Sequence, residues 1–332
     1  MILEFNKENI KFCAKQLRLG KVVSFPTETV YGLGANALNE KAVEEIYKLK
    51  KRPSNNPLIV HIYDIKQIEE FCVLKPFQEK LIEKLKVFWP GPLSLVLPKK
   101  DIIPDIVSAR KESIAIRMPN HKVALSLFKE ANLPIVAPSA NISGFLSPTT
   151  ALHVQEAFKE KNIPVLQGGN CAVGLESTVL SLLKDTPIIL RHGFITKEKL
   201  EDTLSEYILD GTEKENNLSS EILSPGMLLK HYSPRTPLYL KSEKLPKSRN
   251  ASYIAFVDDE NELLEETKNK FKEIAYLTSD KTIIAKKLFY ILHKFDKMGF
   301  DYIVIDSCEE IGLGKAIMDR IKRATNKTNN NN

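Results

Sequence analysis

The chain has 332 residues, of which 43% are hydrophobic and 27% charged, and its formal net charge at pH 7 is +6. These values are typical of a globular protein with room for two domains, and so small a charge excess suits an anionic ligand while arguing against a dedicated nucleic-acid binder. The four cysteines form no CxxC pair and no apolar run is long enough to cross a bilayer, which argues against a zinc or disulfide scaffold and against a membrane protein, and indicates the cytoplasm.

Up to about residue 205, short β-rich runs alternate with amphipathic helical runs. The predicted strands are KVVSF, LIVHI, LSLVL, IAIRM, PIVAP, STVLSLL and PIIL. The predicted helices follow Asn39, run through 76–88, 121–131 and 150–159, and begin again near Thr196. Several strands lie close together near residues 93–118 and 177–190, which predicts a mixed sheet. We therefore predict an N-terminal α/β domain over residues 1–207.

The chain changes character over residues 208–237, where a polar stretch is followed by one rich in Pro, Gly and Ser. This composition is typical of an interdomain linker. Residues 238–325 then alternate four strands with helices, which predicts a smaller, Rossmann-like domain. Its helices are expected at about 261–271, 280–296 and 313–324. The tail at 326–332, NKTNNNN, is expected to be disordered.

The first polar cluster is Ser24–Asn36, SFPTETVYGLGAN, in which a strand ends at a proline and runs into hydroxyls and two glycines. Hydroxyls and free backbone N–H groups at a strand end can hold a small polar ligand in an α/β sheet. An ordinary glycine-containing turn explains the segment equally well.

The second cluster puts four cations, Lys48, Lys50, Lys51 and Arg52, between a predicted helix and the strand LIVHI. Such a cluster can grip a polyanion such as a nucleoside triphosphate. The alternative is a solvated helix end whose cations complement the helix dipole. His61, on the strand that follows, belongs either to the same site or to the core as a satisfied histidine.

A third cluster lies on the strand SIAIRM. Alternation puts Ser113 and Arg117 on one face of this strand, opposite the two isoleucines. Arg117 could bind a carboxylate or phosphate through two hydrogen bonds. A solvent-exposed strand face is the alternative.

Two later segments add hydroxyls and another arginine. The loop APSANISG, continued by SPTT at 147–150, could hold phosphate or ribose oxygens, cap the next helix, or do both. Ser177 opens a strand and Arg191 ends one beside a glycine. The sequence has no P-loop, HExxH pair or Ser/His/Asp order, so it favours electrostatic positioning of an anionic substrate over covalent catalysis.

In this order, the segments SFPTETVYGLGANA, KKRP with its following NP, WPGPLSLVL, IAIRMPNH, APSANISG and ESTVL resemble the signatures of the YrdC-like family of threonylcarbamoyl-AMP synthases. The match covers about residues 8–205. SPGMLLKHYSP and GLGKAIMDRIKRA resemble the linker and C-terminal domain of the two-domain members. The resemblance implies a YrdC-like twisted mixed sheet with a large basic cavity. One departure is Lys51, where the family usually has glycine.

The resemblance implies synthesis of L-threonylcarbamoyl-AMP from L-threonine, bicarbonate or CO₂, and ATP, with release of pyrophosphate. This is the first step in forming N6-threonylcarbamoyladenosine in tRNA, and a downstream threonylcarbamoyl transferase complex would use the product. Mg²⁺ is expected to enter with ATP rather than at a dedicated protein site. Any direct contact with tRNA is expected to be weak.

The resemblance also assigns roles to residues of every cluster. The catalytic cations at the phosphates would be Lys50 and Arg52. The ligands of L-threonine would be Thr29, His61, Arg117, the Ala137 backbone and Ser177. The ligands of ATP would be Arg52, Asn56, Ser113, Ser139, Ser147, Arg191 and Tyr232, the last reaching back from the linker as part of a lid.

An RNA-binding module that uses the basic concavity is the alternative function. It predicts salt-sensitive RNA binding without ATP-dependent pyrophosphate release. The small charge excess and the lack of aromatic residues interleaved with the basic ones argue against it. A carbamoyl-adenylate-forming domain of the hydrogenase-maturation type is a third possibility, but the zinc-type cysteine pairs of that class are missing here.

Overall fold

The computed structural model describes residues 1–213 and 232–325, and its strands form a large and a small sheet. The strands of the large sheet are β1 (Ile2–Leu3), β2 (Val23–Phe25), β3 (Gly32–Asn36), β4 (Ile59–His61), β5 (Leu93–Pro98), β6 (Ser113–Arg117), β7 (Ile135–Val136), β8 (Val165–Leu166), β9 (Thr178–Ser181), β10 (Ile188–Arg191) and β11 (Leu209–Asp210). The small sheet contains β12 (Leu238–Leu240), β13 (Ala251–Phe256), β14 (Glu273–Leu277) and β15 (Tyr302–Ile305). The spatial orders are β1-β8-β2-β3-β7-β4-β6-β5-β9-β10-β11 and β12-β15-β13-β14.

Helices connect the strands of both sheets. Those of the N-terminal unit are α1 (Lys7–Arg18), α2 (Glu40–Lys50), α3 (Gln67–Phe71), α4 (Pro76–Leu85), α5 (Asp105–Ser108), α6 (Lys122–Ala131), α7 (Ala151–Ala157) and α8 (Lys197–Leu204). Those of the C-terminal unit are α9 (Glu265–Lys268), α10 (Lys281–Asp296) and α11 (Leu313–Thr325). Within the described residues, no helix is both long and apolar enough to cross a bilayer.

Strand directions confirm the predicted fold class. In the large sheet β4 and β6 are parallel, whereas β5 runs antiparallel to β6 and β7 antiparallel to β4, so the sheet is mixed. In the small sheet β12, β13, β14 and β15 pair in parallel, as a Rossmann-like unit requires. The predicted domain boundaries stay predictions, because residues 214–231 of the linker and the tail at 326–332 lie outside the described residues.

Both faces of the large sheet are covered. The isoleucines of β6 belong to the larger core cluster, whereas Ala115 packs with Ile59 on the opposite face. Alternation puts Arg117 on the Ala115 face, and Arg117 is only 4% exposed. The solvent-exposed alternative for this strand is therefore wrong.

The helix before the cationic cluster begins and ends at identifiable residues. The Asn39 side chain accepts a hydrogen bond from the Ala42 N–H at 3.2 Å, which caps the first turn of α2. The helix stops at Lys51, whose φ of 50° is the left-handed conformation that glycine adopts most readily. The helix C-cap is thus Lys51, the residue at which the sequence departs from the family that it resembles.

Two predicted elements differ from the structure. The segment Gly32–Asn36 is strand β3 rather than a turn, because it pairs antiparallel with β2 and its glycines leave room for a ring: a Cβ on Gly34 would lie 2.4 Å from a ring carbon of Phe25. The helix predicted at 261–271 is reduced to the single turn α9. Leu263 is buried there but Leu264 is 74% exposed, so the segment has little apolar surface to hold a longer helix against the sheet.

The two units share an apolar cluster. Val30, Leu146 and Leu175 of the N-terminal unit pack with Tyr232 and with α10 residues such as Phe289. Beside them the backbone of Gly174 approaches α10 so closely that an added Cβ would lie 2.5 Å from the carbonyl oxygen of Ala285. Its φ of +80° is also unfavourable for any side chain.

We expect Gly174→Ala to lower the melting temperature substantially. The left-handed backbone and the clash together cost about 2–4 kcal/mol, since each contributes about 1–2 kcal/mol or more. Gly299→Ala is the matched control, because Gly299 has a φ of +72° but a Cβ there would meet no described atom within 4 Å. Equal losses of melting temperature in the two variants, measured by calorimetry, would show that the units are not packed closely at Gly174.

Candidate functional site

A cavity of about 50 Å³ lies against the Ala115 face of the large sheet. It brings together residues from the predicted clusters and one, Tyr232, from the predicted linker. Its lining is Thr29, Val30, Arg52, Ile59, His61, Arg117, Ala137, Pro138, Ser139, Glu176, Arg191 and Tyr232. The dispersed polar segments therefore converge in space, although their roles stay predictions.

Sheet register places the two central side chains of the cavity. His61 ends β4 and Arg117 ends β6, and the parallel register makes these residues direct neighbours. Burial lowers the pKa of His61 to about 3, with a further contribution from the charge on Arg117, so the imidazole is neutral at physiological pH. Its Nδ1 lies 3.2 Å from the Ile59 carbonyl oxygen. His61 is thus a core histidine by burial and a cavity residue by position.

Arg117 is held by three groups. Its Nη2 donates to Glu28 Oε1 at 2.7 Å and to Thr29 Oγ1 at 3.0 Å, while Nε donates to the Gly91 carbonyl oxygen at 3.2 Å. The other oxygen of Glu28 is buried and has no hydrogen-bond partner among the described residues. Because one oxygen of the Glu28 carboxylate has no such partner, a ligand carboxylate that pairs better with Arg117 can compete with Glu28 for it.

Arg52 turns back onto the loop that follows it. Its Nε and Nη2 donate to the Asn56 carbonyl oxygen at 3.0 Å, to Asn56 Oδ1 at 2.5 Å and to the Pro57 carbonyl oxygen at 2.7 Å. Asn56 therefore orients Arg52, which lines the cavity. Burial is the main cause that lowers the pKa of Arg52 to about 10, so the guanidinium keeps its charge at neutral pH.

Lys50 lies behind the cavity wall and ties two segments together. Its Nζ donates to the carbonyl oxygens of Ser139 and Asn141 at 2.5 and 2.6 Å, which joins the end of α2 to the loop after β7. Burial, followed by the charge on Arg52, lowers the pKa of Lys50. In the same loop the N–H of Ala137 donates to the Ile59 carbonyl oxygen, which leaves the Ala137 carbonyl as the group able to accept from a ligand amine.

The fifth cluster forms one hydrogen-bonded unit. Arg191 donates through Nε to the Ser177 carbonyl oxygen and through Nη2 to Ser177 Oγ, each at 3.0 Å. Ser94 lies 2.8 Å from the same hydroxyl. The antiparallel pairing of β9 with β10 brings Ser177 to Arg191, so a hairpin carries both residues.

Glu176 and Arg320 are functional candidates that sequence reasoning missed. Ser147 Oγ donates to Glu176 Oε1 at 2.5 Å, and Arg320 Nε lies 3.2 Å from Glu176 Oε2. Glu28, Glu176 and Arg320 all lie within segments that the sequence analysis singled out, but none of them had a role assigned. The available signal for Arg320 was its place in α11, where it interrupts a buried stripe at helical spacing.

Ser113 is the predicted ATP ligand that the structure does not bring to the others. It begins β6 at the end of that strand opposite Arg117, and the cavity lining formed by the described residues does not include it. Asn56, Lys50, Ser147 and Ser177 are also absent from that lining, but each makes a hydrogen bond to a residue in it.

The cavity is electrostatically positive. Three guanidinium groups line it, those of Arg52, Arg117 and Arg191, against the carboxylate of Glu176. Burial lowers the pKa of Arg191 as it does that of Arg52, because both guanidinium groups are withdrawn from water. Binding of an anion would offset the desolvation cost of these two cations.

The cavity is basic, as expected, but not large. At about 10–15 Å³ per water, its volume of about 50 Å³ holds only a few waters. Threonine is larger and ATP much larger. Side chains that face the cavity, among them the buried Tyr232, must therefore move before such ligands enter.

Comparisons with known proteins identify relatives along the whole chain. The Sua5/YciO/YrdC family model, described as "Telomere recombination", matches residues 15–193, and the model "Threonylcarbamoyl-AMP synthase, C-terminal domain" matches residues 195–326. The threonylcarbamoyl-AMP synthase of Pyrococcus abyssi is 38% identical over 95% of this chain and 94% of its own length. That of Bacillus subtilis is 39% identical over 97% of this chain and 94% of its own.

Solved structures that resemble this chain point to the same family as the sequence comparisons. P. abyssi Sua5 complexed with L-threonine superposes with a TM-score of 0.83 at 36% identity, covering 98% of this chain and 97% of that one. E. coli YciO, at 20% identity and a TM-score of 0.52, covers 58% of this chain and 95% of its own, and shows the fold alone.

Proposed function

This chain belongs to the threonylcarbamoyl-AMP synthase family, and we propose that its cavity carries out that family's reaction: L-threonine, bicarbonate or CO₂, and ATP give L-threonylcarbamoyl-AMP and pyrophosphate. The observation that carries the proposal is the convergence of Arg52, Arg117 and Arg191 on one buried cavity. A relative with L-threonine bound supports the same assignment.

L-threonine would bind at the His61 end of the cavity. Arg117 is the partner for its carboxylate, which would take the place that Glu28 Oε1 occupies. Thr29 and neutral His61 would contact its polar atoms, and the Ala137 carbonyl would accept a hydrogen bond from its amine. Ser177 lies behind Arg191, so its contribution would be to orient that arginine as much as to meet the substrate.

We assign ATP to the part of the cavity lined by Arg52, Ser139, Arg191 and Tyr232, which we call the ATP end. Asn56 and Ser147 act from behind as hydrogen-bond partners of Arg52 and Glu176. Ser113 begins β6 at the end of the strand opposite Arg117, so it would meet ATP outside this small cavity.

The chemistry needs charge stabilisation and no protein nucleophile. The threonine amine adds to CO₂ and loses a proton to form a carbamate, and a carbamate oxygen then attacks the α-phosphorus. The new P–O bond forms as the bond from the α-phosphorus to the bridging oxygen breaks, and pyrophosphate leaves with that electron pair. Arg52, with Lys50 behind it, stabilises the charge that builds on the phosphate oxygens.

Mg²⁺ would be held chiefly by ATP itself. Among residues 1–213 and 232–325 no three His, Cys, Asp or Glu side chains are grouped to hold a metal, and both oxygens of Glu176 are already engaged. When bound, the ion would neutralise charge on the departing pyrophosphate.

Tyr232 would serve as part of a lid. It is buried, lines the cavity, and follows the segment 214–231. Because a mixed anhydride of carbamate and phosphate reacts with water, a lid that excludes water protects the product.

The free state of all four thiols fits a cytoplasmic location. There a threonylcarbamoyl transferase would take the product to tRNA.

The deciding assay measures pyrophosphate release with ATP, bicarbonate and each amino acid in turn. We expect release with L-threonine that depends on both ATP and bicarbonate. Salt-sensitive RNA binding without pyrophosphate release would favour the RNA-binding alternative and overturn the proposal.

A further inference from the structure

The last helix of the C-terminal unit sends one side chain into the wall of the cavity. Arg320 of α11 is 0% exposed, although an arginine is seldom buried so completely. Its Nε lies 3.2 Å from Glu176 Oε2, and its Nη1 donates to the His192 carbonyl oxygen at 2.7 Å. Both partners belong to the N-terminal unit, so this single residue joins the two.

Glu176 connects Arg320 to the cavity. With Oε2 held by Arg320, Oε1 accepts the Ser147 hydroxyl at 2.5 Å, and the carboxylate lines the cavity. Glu176 also directly precedes Ser177, which receives two hydrogen bonds from Arg191. The orientation of Glu176 therefore sets the positions of groups at the ATP end.

Arg320 also contacts Tyr232, the residue proposed to be part of the lid. Its guanidinium carbon lies 5.4 Å from the ring centroid of Tyr232, within the range of a cation–π interaction. Burial by itself would lower the pKa of Arg320, but Tyr232, Glu176 and Asp319 raise it, so the group stays charged. Arg320 thus contacts two cavity residues from outside the cavity.

We propose that Arg320 is a positioning residue for ATP, by which the C-terminal unit completes the active site. The inference rests on the proposed function for its ligand. A buried ion pair seldom adds net stability, so a fully buried arginine that spans two units and holds a cavity carboxylate is better explained by the geometry it maintains. The threonine end, at His61 and Arg117, has no contact with Arg320 among the described residues.

Lys315 offers a matched control on the same helix. It forms ion pairs with Asp210 at 3.2 Å and Glu213 at 3.3 Å, so it too joins the units. Neither partner is part of the cavity lining formed by the described residues. Lys315→Gln therefore weakens the interface without touching the path through Glu176.

The test compares Arg320→Gln, Arg320→Lys and Lys315→Gln in the full chain. ATP is titrated by calorimetry without threonine, and the KM values for ATP and L-threonine are measured by pyrophosphate release. We expect Arg320→Gln to weaken ATP binding by about tenfold or more, because a charge-assisted contact is lost, with a change in the KM for threonine of less than about threefold. Lys315→Gln should change either value by less than about threefold.

Arg320→Lys keeps the positive charge and serves as a second test should Arg320→Gln fail to fold. Because one ammonium group cannot reach both Glu176 and the His192 carbonyl, ATP binding should fall to a value between those of the wild type and Arg320→Gln. Unchanged ATP binding in the lysine variant, or equal effects of Arg320→Gln and Lys315→Gln, would overturn the inference. Should the wild type bind ATP but release no pyrophosphate, the proposed function fails while Arg320 is still judged by the titration. A wild type that binds no ATP contradicts both.

Discussion

Arg52→Ala is expected to reduce ATP-dependent pyrophosphate release by about 100-fold or more, the usual cost of removing one donor aimed at developing charge in a buried site. Arg52 lines the cavity, keeps its charge at neutral pH and is oriented by Asn56 and Pro57. The fold should survive, because the lost contacts lie within one loop. Steady-state kinetics with saturating threonine and bicarbonate, together with a melting curve, measure both effects.

Lys48→Ala is the control for this variant. Lys48 belongs to the same cationic cluster, but its side chain is 71% exposed and pairs loosely with Glu44 at 3.6 Å. Its removal should leave the rate nearly unchanged. If both variants kept wild-type turnover, Arg52 would have no place in the site; if both lost it equally, the cluster would act only through its overall charge.

Arg117→Ala is expected to raise the threonine requirement far more than the ATP requirement. Loss of a charge-assisted contact to the threonine carboxylate corresponds to about 10- to 100-fold in the KM for threonine. The KM for ATP should change by less than about threefold, because the cations at the ATP end are untouched. Equal shifts in the two KM values would count against the carboxylate-binding role.

Removal of Arg117 alone also leaves Glu28 buried without its cation. Such an uncompensated charge costs about 3–5 kcal/mol of folding stability. The double variant Glu28→Gln/Arg117→Gln removes both charges of this buried pair and should recover much of that stability while keeping the high KM for threonine. Recovery of normal threonine affinity in the double variant would show that the single variant failed only through misfolding.

Local patterns predicted the strands that carry the site. His61 and Arg117 are each next to last in a predicted strand, LIVHI and IAIRM. The parallel register of the two strands makes these residues neighbours. The alternation along β6 likewise placed Arg117 on the correct side of the sheet. What alternation could not show was whether that face is exposed, because burial depends on the loops and the C-terminal unit that cover it.

The cationic cluster shows a similar limit. Lys48 is largely exposed, whereas Lys50 and Arg52 are buried. Lys50 lies on the buried face of α2 with Ile46, and Arg52 follows the residue at which the helix ends. Sequence spacing predicts where a helix ends but not which cations then point to a ligand.

The carboxylates of the site were missed for a physical reason. An anionic ligand favours cations, so Glu28 and Glu176 gave no expectation of a role beside Arg117 and Arg320. The partners are also far apart, since 144 residues separate Glu176 from Arg320. Nothing in a local pattern pairs them; only the packing of α11 against the N-terminal unit does.

Incorporation of ¹³C-labelled bicarbonate tests the central claim most directly. With ATP and L-threonine, the cavity should convert the label into a threonine-bearing adduct of AMP. Its mass, measured after rapid quenching, should exceed that of the unlabelled product by one unit, with one pyrophosphate released per adduct. AMP and pyrophosphate formed without a labelled adduct, or an adduct formed equally well without threonine, would contradict the account.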